Sequence, residues 1–349
     1  MAPSSRTYPF SSSSRRWCAS MLPFYGFRVE LSGMSSPRLA SVSLIIVAGS
    51  AALGLAVAGP PQGVPAKTPW LIAHRGASAY APENTVPAFR LAADQGATFV
   101  EFDVQLTKDR QVVCLHDNSL ERTTDVEAVF PDRFRTTGSG TQAAKRWMIE
   151  DFTLAEIKRL DAGAWFDQKF RGTRIPTFSE TIDALRGRSG LFIELKSPER
   201  YEGIERLVLA ELKAAGLAEP GADPRTPVLL QSFSAPSLQT LTALKTRLAI
   251  HFLVAARDAA TWMTPDGLTK IRTFATGLSP EKTIIRDHPD AMARARTMRM
   301  PITPYTFRSS AVAGFPDVRA EMAHFLRELG VAGVITDNPD MMPATAENR

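Results

Sequence analysis

Three acidic residues stand at spacings that could bring their carboxylates together. Glu101 and Asp103 are two residues apart in EFDV, and Glu194 follows a second apolar run in IELK. Side chains two residues apart in an extended strand lie on the same face, so Glu101 and Asp103 should point the same way. Carboxylate oxygens without cysteine suit a hard divalent cation. The three residues are therefore candidate metal ligands.

Two histidines and two basic side chains accompany these acids. His74 and Arg75 follow the first apolar run, His116 closes VVCLH, and Lys196 closes IELK. A metal, an arginine and a lysine that converge on one point are typical of a site for a phosphate oxygen. Two histidines beside such a point suit a general base and a general acid for cleavage of a phosphoester.

The elements that must position these residues alternate between strands and helices. Such alternation predicts an α/β fold with a parallel sheet covered by helices, and eight strands close a TIM (β/α)8 barrel, whose functional residues lie at the carboxyl ends of the strands. An open doubly wound sheet is disfavoured, because no glycine-rich phosphate loop follows the first strand. The predicted strands are 70–73, 98–103, 191–196, 228–233, 250–254, 274–278, 300–307 and 333–336, and the predicted helices are about 84–95, 178–187, 201–215, 236–246, 258–272, 288–298 and 317–329.

A hairpin interrupts this alternation between Asp103 and His116. The interval is too short for a parallel crossover, which needs a dozen or more residues. A two-residue turn at Asp109-Arg110 would instead pair residue 103 with residue 116 and deliver His116 to the carboxylates. A type I′ turn there needs positive φ at both central residues, which is mildly costly for Arg110.

The chain from about 104 to 176 then forms a small insertion after strand 2, on the catalytic face of the barrel. It contains a polar loop, VFPDRFRTTGSGTQ, and a short helix, LAEIKRL. Thr153 is a candidate N-cap of this helix, and Glu156 would complete a capping box.

Each candidate residue alone has a simpler interpretation. A single histidine at a strand end is more often structural, and paired acids on a strand are often salt-bridge partners. His251, His288 and His324 match no set and are interpreted as surface or packing residues, while Cys114 should be buried and inert. The catalytic interpretation rests on five core residues at corresponding ends of one predicted barrel: His74, Glu101, Asp103, His116 and Glu194.

The first 58 residues resemble a leader. SVSLIIVAGSAALGLAVAG (41–59) is uncharged and apolar, and AVA (56–58) is a small-x-small cleavage signal. We therefore expect a signal peptide that is cleaved after Ala58 and a periplasmic or secreted protein, with a true start near Met34 as an open possibility. The alternative is an uncleaved membrane anchor, although the run is marginal for a span of ~20 residues.

Net charge argues against a nucleic-acid partner. The chain carries +5, but five arginines and one glutamate put +4 in the first 58 residues, which leaves about +1 for the rest (5 − 4).

Cys18 lies in the leader, so Cys114 has no intrachain partner in the mature protein. No pattern indicates the oligomeric state.

Five motifs in sequence order resemble the glycerophosphodiester phosphodiesterase family. They are IAHRGASAYAPENTVPAF (72–89), EFDVQLTKDRQVVCLHDNSLERTTD (101–125), IELK (193–196), QSF (231–233) and GVITDNPD (333–340). The similarity runs from about 70 to 341, and FPDRFR (130–135) with PYTFR (304–308) resembles the longer periplasmic branch. Arg110 departs from the family, which usually has glycine at this position of the turn.

The resemblance implies one TIM-barrel domain over 59–349 that hydrolyses glycerophosphodiesters to sn-glycerol 3-phosphate and an alcohol. It implies one divalent cation, with Ca²⁺ favoured by the periplasmic branch and Mg²⁺ possible. His74 is favoured as base and His116 as acid, and the nucleophile is either water or the substrate's own glycerol hydroxyl. The implied site residues are catalytic His74 and His116, metal-binding Glu101, Asp103 and Glu194, phosphate-binding Arg75 and Lys196, and Glu83 behind the site or in contact with glycerol.

Two other functions remain open at this point. A phospholipase-D-like relative acting on intact lipids should have an exposed apolar loop at the barrel mouth, whereas FPDRFRTTGSG is polar and basic. A non-catalytic surface binding protein on the same fold should have lost at least one core residue, and none is lost. We therefore expect small-molecule glycerophosphodiesters as partners, no nucleic acid, and no stable membrane insertion of the mature protein.

Overall fold

The computed structural model describes residues 68–344, and the predicted signal peptide lies outside them. Its strands are β1 Trp70–Ala73, β2 Phe99–Leu106, β3 Val112–Cys114, β4 Arg135–Thr137, β5 Ala144–Arg146, β6 Gly190–Leu195, β7 Val228–Ser232, β8 Ala249–Val254, β9 Gly277–Pro280 and β10 Gly333–Thr336. Seven of them form a parallel sheet in the order β10-β1-β2-β6-β7-β8-β9, β3 is antiparallel to β2, and β4 pairs with β5.

Residues 301–307 complete the barrel between β9 and β10 without forming a regular strand. Thr303 N–H donates to Leu278 O (2.9 Å) on the β9 side, and Phe307 N–H donates to Ile335 O (2.9 Å) on the β10 side. The prediction of a regular strand here is wrong, because two prolines in the segment have no N–H to give to a ladder. The fold is nevertheless the predicted TIM barrel.

Helices cover the outside of the barrel. The helix predicted over 258–272 is two helices, because Thr264 accepts a hydrogen bond from Gly267 N–H (2.9 Å) and Pro265 starts a new helix. No described helix is long and apolar enough to cross a membrane. The helices are α1 Val86–Asp94, α2 Val126–Val129, α3 Leu154–Ile157, α4 Phe178–Leu185, α5 Ile204–Ala214, α6 Ala235–Ala243, α7 Ala259–Trp262, α8 Pro265–Ile271, α9 Lys282–Asp287, α10 Pro289–Thr297 and α11 Val318–Arg327.

The strand predicted over 274–278 begins later than expected. Phe274 and Ala275 donate their N–H groups to Ile271 O (3.0 and 2.8 Å), so they finish the turn that follows α8. The apolar run therefore belongs partly to the helix end, and β9 starts at Gly277.

His251 lies in the core of the barrel, so of the two predicted roles, surface or packing, it has the packing role. Its ring packs against Trp70 and Phe192, with centroids 6.0 and 5.3 Å away. Its Nδ1 lies 3.2 Å from Ser279 Oγ and 3.1 Å from Thr303 Oγ1. Burial lowers its pKa to about 3, so this histidine is neutral and serves packing.

β2 and β3 form the predicted hairpin, but the predicted pairing is wrong by one residue. Val104 pairs with Cys114, and Leu115 N–H donates to Asp103 O (3.1 Å). Residue 103 therefore lies opposite Leu115, and His116 follows just beyond the pair. Cys114 itself is buried, and burial raises the pKa of its thiol to about 12, as expected for an inert cysteine.

The turn of this hairpin explains the shift in register. Thr107 N–H donates to Gln111 O (3.0 Å), and Arg110 N–H donates to Thr107 O (2.9 Å), so the loop has three residues rather than two. Arg110 has a φ of 60°. It is therefore the left-handed residue that follows a type I turn in three-residue hairpin loops. Its Nη2 donates to Glu202 O (2.7 Å), which helps to hold a conformation that glycine would adopt without strain.

Residues 107–177, between β2 and α4, carry β3, α2, the β4–β5 hairpin and α3. The predicted capping box at α3 is confirmed. Thr153 Oγ1 accepts from Glu156 N–H (3.4 Å), and Glu156 Oε2 accepts from Thr153 N–H (2.8 Å). This segment delivers His116 and the residues that surround it to the carboxyl ends of the barrel strands.

Candidate active site

β2 and β6 place the three acidic residues side by side. Asp103 is the register partner of Glu194, and Glu101 lies two residues earlier on the same face of β2. One oxygen from each carboxylate lies within 4.8 Å of the others. All three residues are buried, with 1%, 1% and 5% exposure for Glu101, Asp103 and Glu194. The three carboxylates therefore form one buried acidic cluster.

Two cationic side chains lie against this cluster. Lys196 Nζ is 2.9 Å from Glu194 Oε1 and 3.5 Å from Asp103 Oδ1. Arg75 donates its backbone N–H to Glu101 Oε2 (2.8 Å), and its Nε lies 3.5 Å from Asp103 Oδ2. Arg75 has a φ of 54°, so the chain turns sharply directly after β1 and His74.

Asn84 holds Asp103 from behind. Its Nδ2 donates to Asp103 Oδ2 (2.9 Å), and its Oδ1 accepts the backbone N–H of Asp103 (3.2 Å). Asn84 is 3% exposed and has a φ of 55°, a left-handed conformation that asparagine tolerates better than most residues. One side chain thus fixes both the carboxylate and the backbone of Asp103.

Burial and mutual repulsion make the acidic cluster hard to ionise fully. Burial first, and then the neighbouring Asp103 and Glu194, raise the pKa of Glu101 well above its usual value. Burial also raises the pKa of Glu194, against the attraction of Lys196 and with the help of Asp103. For Asp103, burial acts in the same direction, but nearby cations led by Lys196 outweigh it and lower the pKa.

The donor set fits a hard divalent cation. All its ligand atoms are carboxylate oxygens, and within residues 68–344 the buried Asp103 Oδ1 has no hydrogen-bond partner. A cation among these oxygens would satisfy Asp103 Oδ1 and offset the burial and repulsion that raise the pKa values of Glu101 and Glu194.

His74 is fixed by an acid that follows β10. Its Nδ1 lies 2.6 Å from Asp337 Oδ1. Burial opposes ionisation of Asp337, but the hydrogen bond and charge of His74 and the charges of Arg308 and Arg75 together outweigh it and lower the pKa of that carboxyl. Burial, and then Arg75, lower the pKa of His74 against the pull of Asp337. The neutral imidazole therefore carries its proton on Nδ1, which leaves Nε2 as a proton acceptor.

His116 has a similar partner next to it in the chain. Its Nδ1 lies 2.6 Å from Asp117 Oδ1. Burial disfavours the charged form of Asp117, but hydrogen bonds from His116 and Arg122 outweigh it and lower the pKa of that carboxyl. Asp117 is therefore an ionised acceptor, so Nδ1 of His116 is the donor and Nε2 stays available for chemistry.

Both histidines face one cavity of about 250 Å³. Its polar side carries six of the predicted site residues, and Phe233, Leu253 and Tyr305 form an apolar wall. Glu83 lies behind this surface, where it accepts a hydrogen bond from Arg75 Nη1 (2.9 Å). The six predicted residues that line the cavity are His74, Arg75, Glu101, His116, Glu194 and Lys196.

Sequence reasoning assigned no role to several polar residues of this site. Gln231 is the register partner of Glu194 and donates to Glu101 Oε1 (3.3 Å), and Asp337 directly follows β10. The strand-end rule that selected Glu194 applies to both, so the signal was present. Asn84 and Arg122 lie on loops, and no periodic pattern points to them.

Fold and site together define a class of protein. A TIM barrel that presents buried carboxylates, two cations and two carboxylate-bound histidines at the carboxyl ends of its strands is built to act on a phosphate ester.

Comparison with known proteins agrees with this class. Residues 74–341 match the Glycerophosphoryl diester phosphodiesterase family. The chain is 34% identical over 278 residues to a glycerophosphodiester phosphodiesterase of Bacillus subtilis strain 168, covering 77% of this chain and 84% of that protein. It is 32% identical over 274 residues to one from Caldanaerobacter subterraneus, covering 78% and 95%.

Solved structures are similar as well. A phosphodiesterase of Oleispira antarctica, in complex with the product sn-glycerol-3-phosphate, is 29% identical with a TM-score of 0.59 and coverage of 78% of this chain and 94% of that chain. A glycerophosphodiester phosphodiesterase from Agrobacterium tumefaciens is 25% identical with a TM-score of 0.57, covering 78% and 98%. The chain belongs to the glycerophosphoryl diester phosphodiesterase family, and it is a phosphodiester hydrolase.

Proposed function

We propose that this protein hydrolyses glycerophosphodiesters to sn-glycerol 3-phosphate and an alcohol, with one divalent cation on Glu101, Asp103 and Glu194. The observation that carries the proposal is the convergence of three buried carboxylates, two basic side chains and two histidines around one cavity. The names of the relatives and the product bound in the Oleispira antarctica structure support the same substrate class.

Arg75 and Lys196 are the residues that would receive the phosphate. Both line the cavity, and both already neutralise carboxylates there, so an anionic group can share their donors. When bound, the cation would polarise the phosphate and offset the negative charge that develops on its oxygens. The apolar wall of Phe233 and Tyr305 would pack against carbon atoms of the substrate.

The histidines would divide the proton transfers. His74 takes the proton from the attacking hydroxyl group at Nε2, while Asp337 holds the imidazole and stabilises its charged form. His116 gives a proton from Nε2 to the oxygen of the leaving alcohol as the P–O bond breaks, and Asp117 fixes its orientation. The attacking hydroxyl belongs to water, or to the glycerol of the substrate itself. In the second case departure of the alcohol leaves a cyclic glycerol phosphate, which a water molecule then opens to sn-glycerol 3-phosphate with the two histidines exchanging their roles.

Purified protein lacking residues 1–58 provides the direct test. After removal of metal with a chelator, glycerophosphocholine should not be cleaved, and added Ca²⁺ should restore release of sn-glycerol 3-phosphate at lower concentration than Mg²⁺. An enzyme-coupled assay for glycerol 3-phosphate reads the product. Full activity after exhaustive chelation would contradict the metal, and no product with any divalent cation would contradict the substrate class.

We propose in addition that the protein is exported and that its mature chain begins at Gly59. The apolar run over 41–59 and the AVA motif before Gly59 support this. Mass spectrometry of protein from the periplasm or medium of an expressing bacterium should find Gly59 at the amino terminus. Changing Ala56 and Ala58 to bulky residues should block processing, and retention of residues 1–58 on exported wild-type protein would refute cleavage.

A further inference from the structure

Arg122 holds two carboxylates at the rim of the site with one guanidinium group. Its Nη1 and Nη2 donate to Glu83 Oε2 and Oε1 (2.9 and 2.8 Å). Its Nε and Nη2 donate to Asp117 Oδ2 and Oδ1 (2.5 and 3.1 Å). Each carboxylate is therefore bound through both of its oxygens, which is the arrangement that the planar fork of arginine favours and lysine cannot reproduce.

Each of these carboxylates is bonded onward to a residue that lines the cavity. Asp117 Oδ1 accepts from His116 Nδ1 (2.6 Å), and Glu83 Oε1 accepts from Arg75 Nη1 (2.9 Å). A continuous chain of hydrogen bonds thus runs from the histidine after β3 to the arginine after β1, with Arg122 at its centre.

His116 needs such support more than His74 does. It lies on a loop beyond the hairpin, its side chain is 27% exposed, and the side chain of its partner Asp117 is 29% exposed. His74, by contrast, directly follows a barrel strand, and its side chain is 13% exposed. Gln105 Nε2 holds the backbone at His116 O and Asp117 O (3.1 and 2.7 Å), so loss of Arg122 would free only the two side chains to turn towards water.

We infer that Arg122 is a positioning residue that orients His116 through Asp117, with Glu83 as the anchor that holds its guanidinium group in place. The inference rests on the proposed function, because it explains these hydrogen bonds by the proton that His116 transfers in that reaction. Among residues 68–344 the hydrogen bonds of the Arg122 side chain end on Glu83 and Asp117, so Arg122 acts through these two side chains.

A purely structural role would give a different result from a positioning role. If Arg122 merely held its loop, its removal would lower activity by a similar factor whatever the leaving group and whatever residue stands at 116. If it positions His116, its effect must depend on the need for an acid and must vanish when His116 is absent.

The experiment measures kcat and KM of Arg122→Ala and Arg122→Lys on glycerophosphocholine and on the 4-nitrophenyl ester of glycerol 3-phosphate. Arg122→Ala should lower kcat on glycerophosphocholine by about 10- to 100-fold, by analogy with carboxylate partners that orient the histidines of metal sites. The loss should shrink to a few-fold on the nitrophenyl ester, and Arg122→Lys should recover only part of it.

Arg146→Ala is the matched control. Arg146 lies on β5 and donates to Glu121 Oε1 (2.7 Å), with a side chain 48% exposed against 42% for Arg122. It should keep the activity of the wild type. Thermal unfolding of each variant identifies any that fails to fold, and the less disruptive Arg122→Lys then carries the comparison.

A double-mutant cycle decides the question. In a His116→Ala background, Arg122→Ala should cost almost nothing further, so the two losses should not multiply. Losses that multiply, or equal losses on both substrates, would overturn the inference about Arg122. The proposed function fails separately, if wild-type protein cleaves neither substrate or if His116→Ala retains full activity.

Discussion

Replacing His116 with alanine should lower the rate of glycerophosphocholine cleavage by roughly 10²–10⁴-fold, the usual contribution of general acid–base catalysis. Choline leaves as a poorly stabilised alkoxide unless its oxygen is protonated, so loss of the acid is costly. 4-Nitrophenolate needs much less protonation as it departs. The nitrophenyl ester of glycerol 3-phosphate should therefore recover most of the activity lost by His116→Ala.

His74→Ala should lose activity on both substrates by a similar factor. The structure supports this asymmetry, because Asp337 keeps the proton of His74 on Nδ1 and burial lowers the pKa of the imidazole, which favours a base. Steady-state rates for both variants on both substrates measure the difference. Equal recovery of the two variants would remove the assignment of acid and base, and recovery of His74→Ala alone would reverse it.

Sequence periodicity was sufficient to predict the acidic cluster. Glu101 and Asp103 share a face because strand side chains alternate, and Glu194 joins them because neighbouring parallel strands end at the same edge of a barrel. Both statements depend on regular secondary structure alone. Neither depends on the conformation of a loop, so the spacing of these residues alone predicts that they lie together.

Turns and closing segments could not be predicted with the same rules. The hairpin register depends on whether the loop has two or three residues, and Arg110 takes a left-handed conformation that its residue type does not suggest. Residues 301–307 are apolar like a strand, yet their prolines leave only isolated bridges. Tertiary hydrogen bonds decide both outcomes, and a single sequence does not display them.

The hydrogen bonds of Arg122 follow no sequence pattern at all. They join Glu83 in one loop to Asp117 in another, 34 positions apart, through side-chain bonds alone. Such residues can be identified only in a structure that shows how the loops meet. Strand-end residues such as His74 and Glu194 can be identified from their position in the sequence.

Replacing Glu194 with glutamine should weaken metal binding on the order of tenfold or more, because hard cations are held largely by the number and charge of carboxylates. The change preserves size and removes one of three charges. Lys196 Nζ lies 2.9 Å from Glu194 Oε1 and 3.5 Å from Asp103 Oδ1. Loss of the Glu194 charge would leave the positive charge of Lys196 less neutralised, so Lys196 would repel the bound cation more strongly. Activity should recover partly when Ca²⁺ or Mg²⁺ is raised, whereas added metal should not rescue His116→Ala.

Thermal stability gives a readout of the same prediction that is independent of activity. A ligand that binds only the folded state stabilises it by RT ln(1 + [L]/Kd), so Ca²⁺ should raise the Tm of the metal-free wild type more than that of Glu194→Gln. Without metal, Glu194→Gln should be at least as stable as wild type, because it removes a buried charge whose pKa is already raised by burial.

Glu205→Gln supplies the control for this measurement. Glu205 is also a buried glutamate, at 7% exposure, but it lies on α5 and accepts a hydrogen bond from Ser237 Oγ (2.6 Å), away from the acidic cluster. Its Tm should rise with Ca²⁺ as the wild type's does. If Glu194→Gln also keeps the full Ca²⁺-dependent rise, Glu194 is no metal ligand, and its burial beside Asp103 must serve Lys196 instead. That outcome would leave Lys196, held by two carboxylates, as the principal positive charge available to the phosphate from β6.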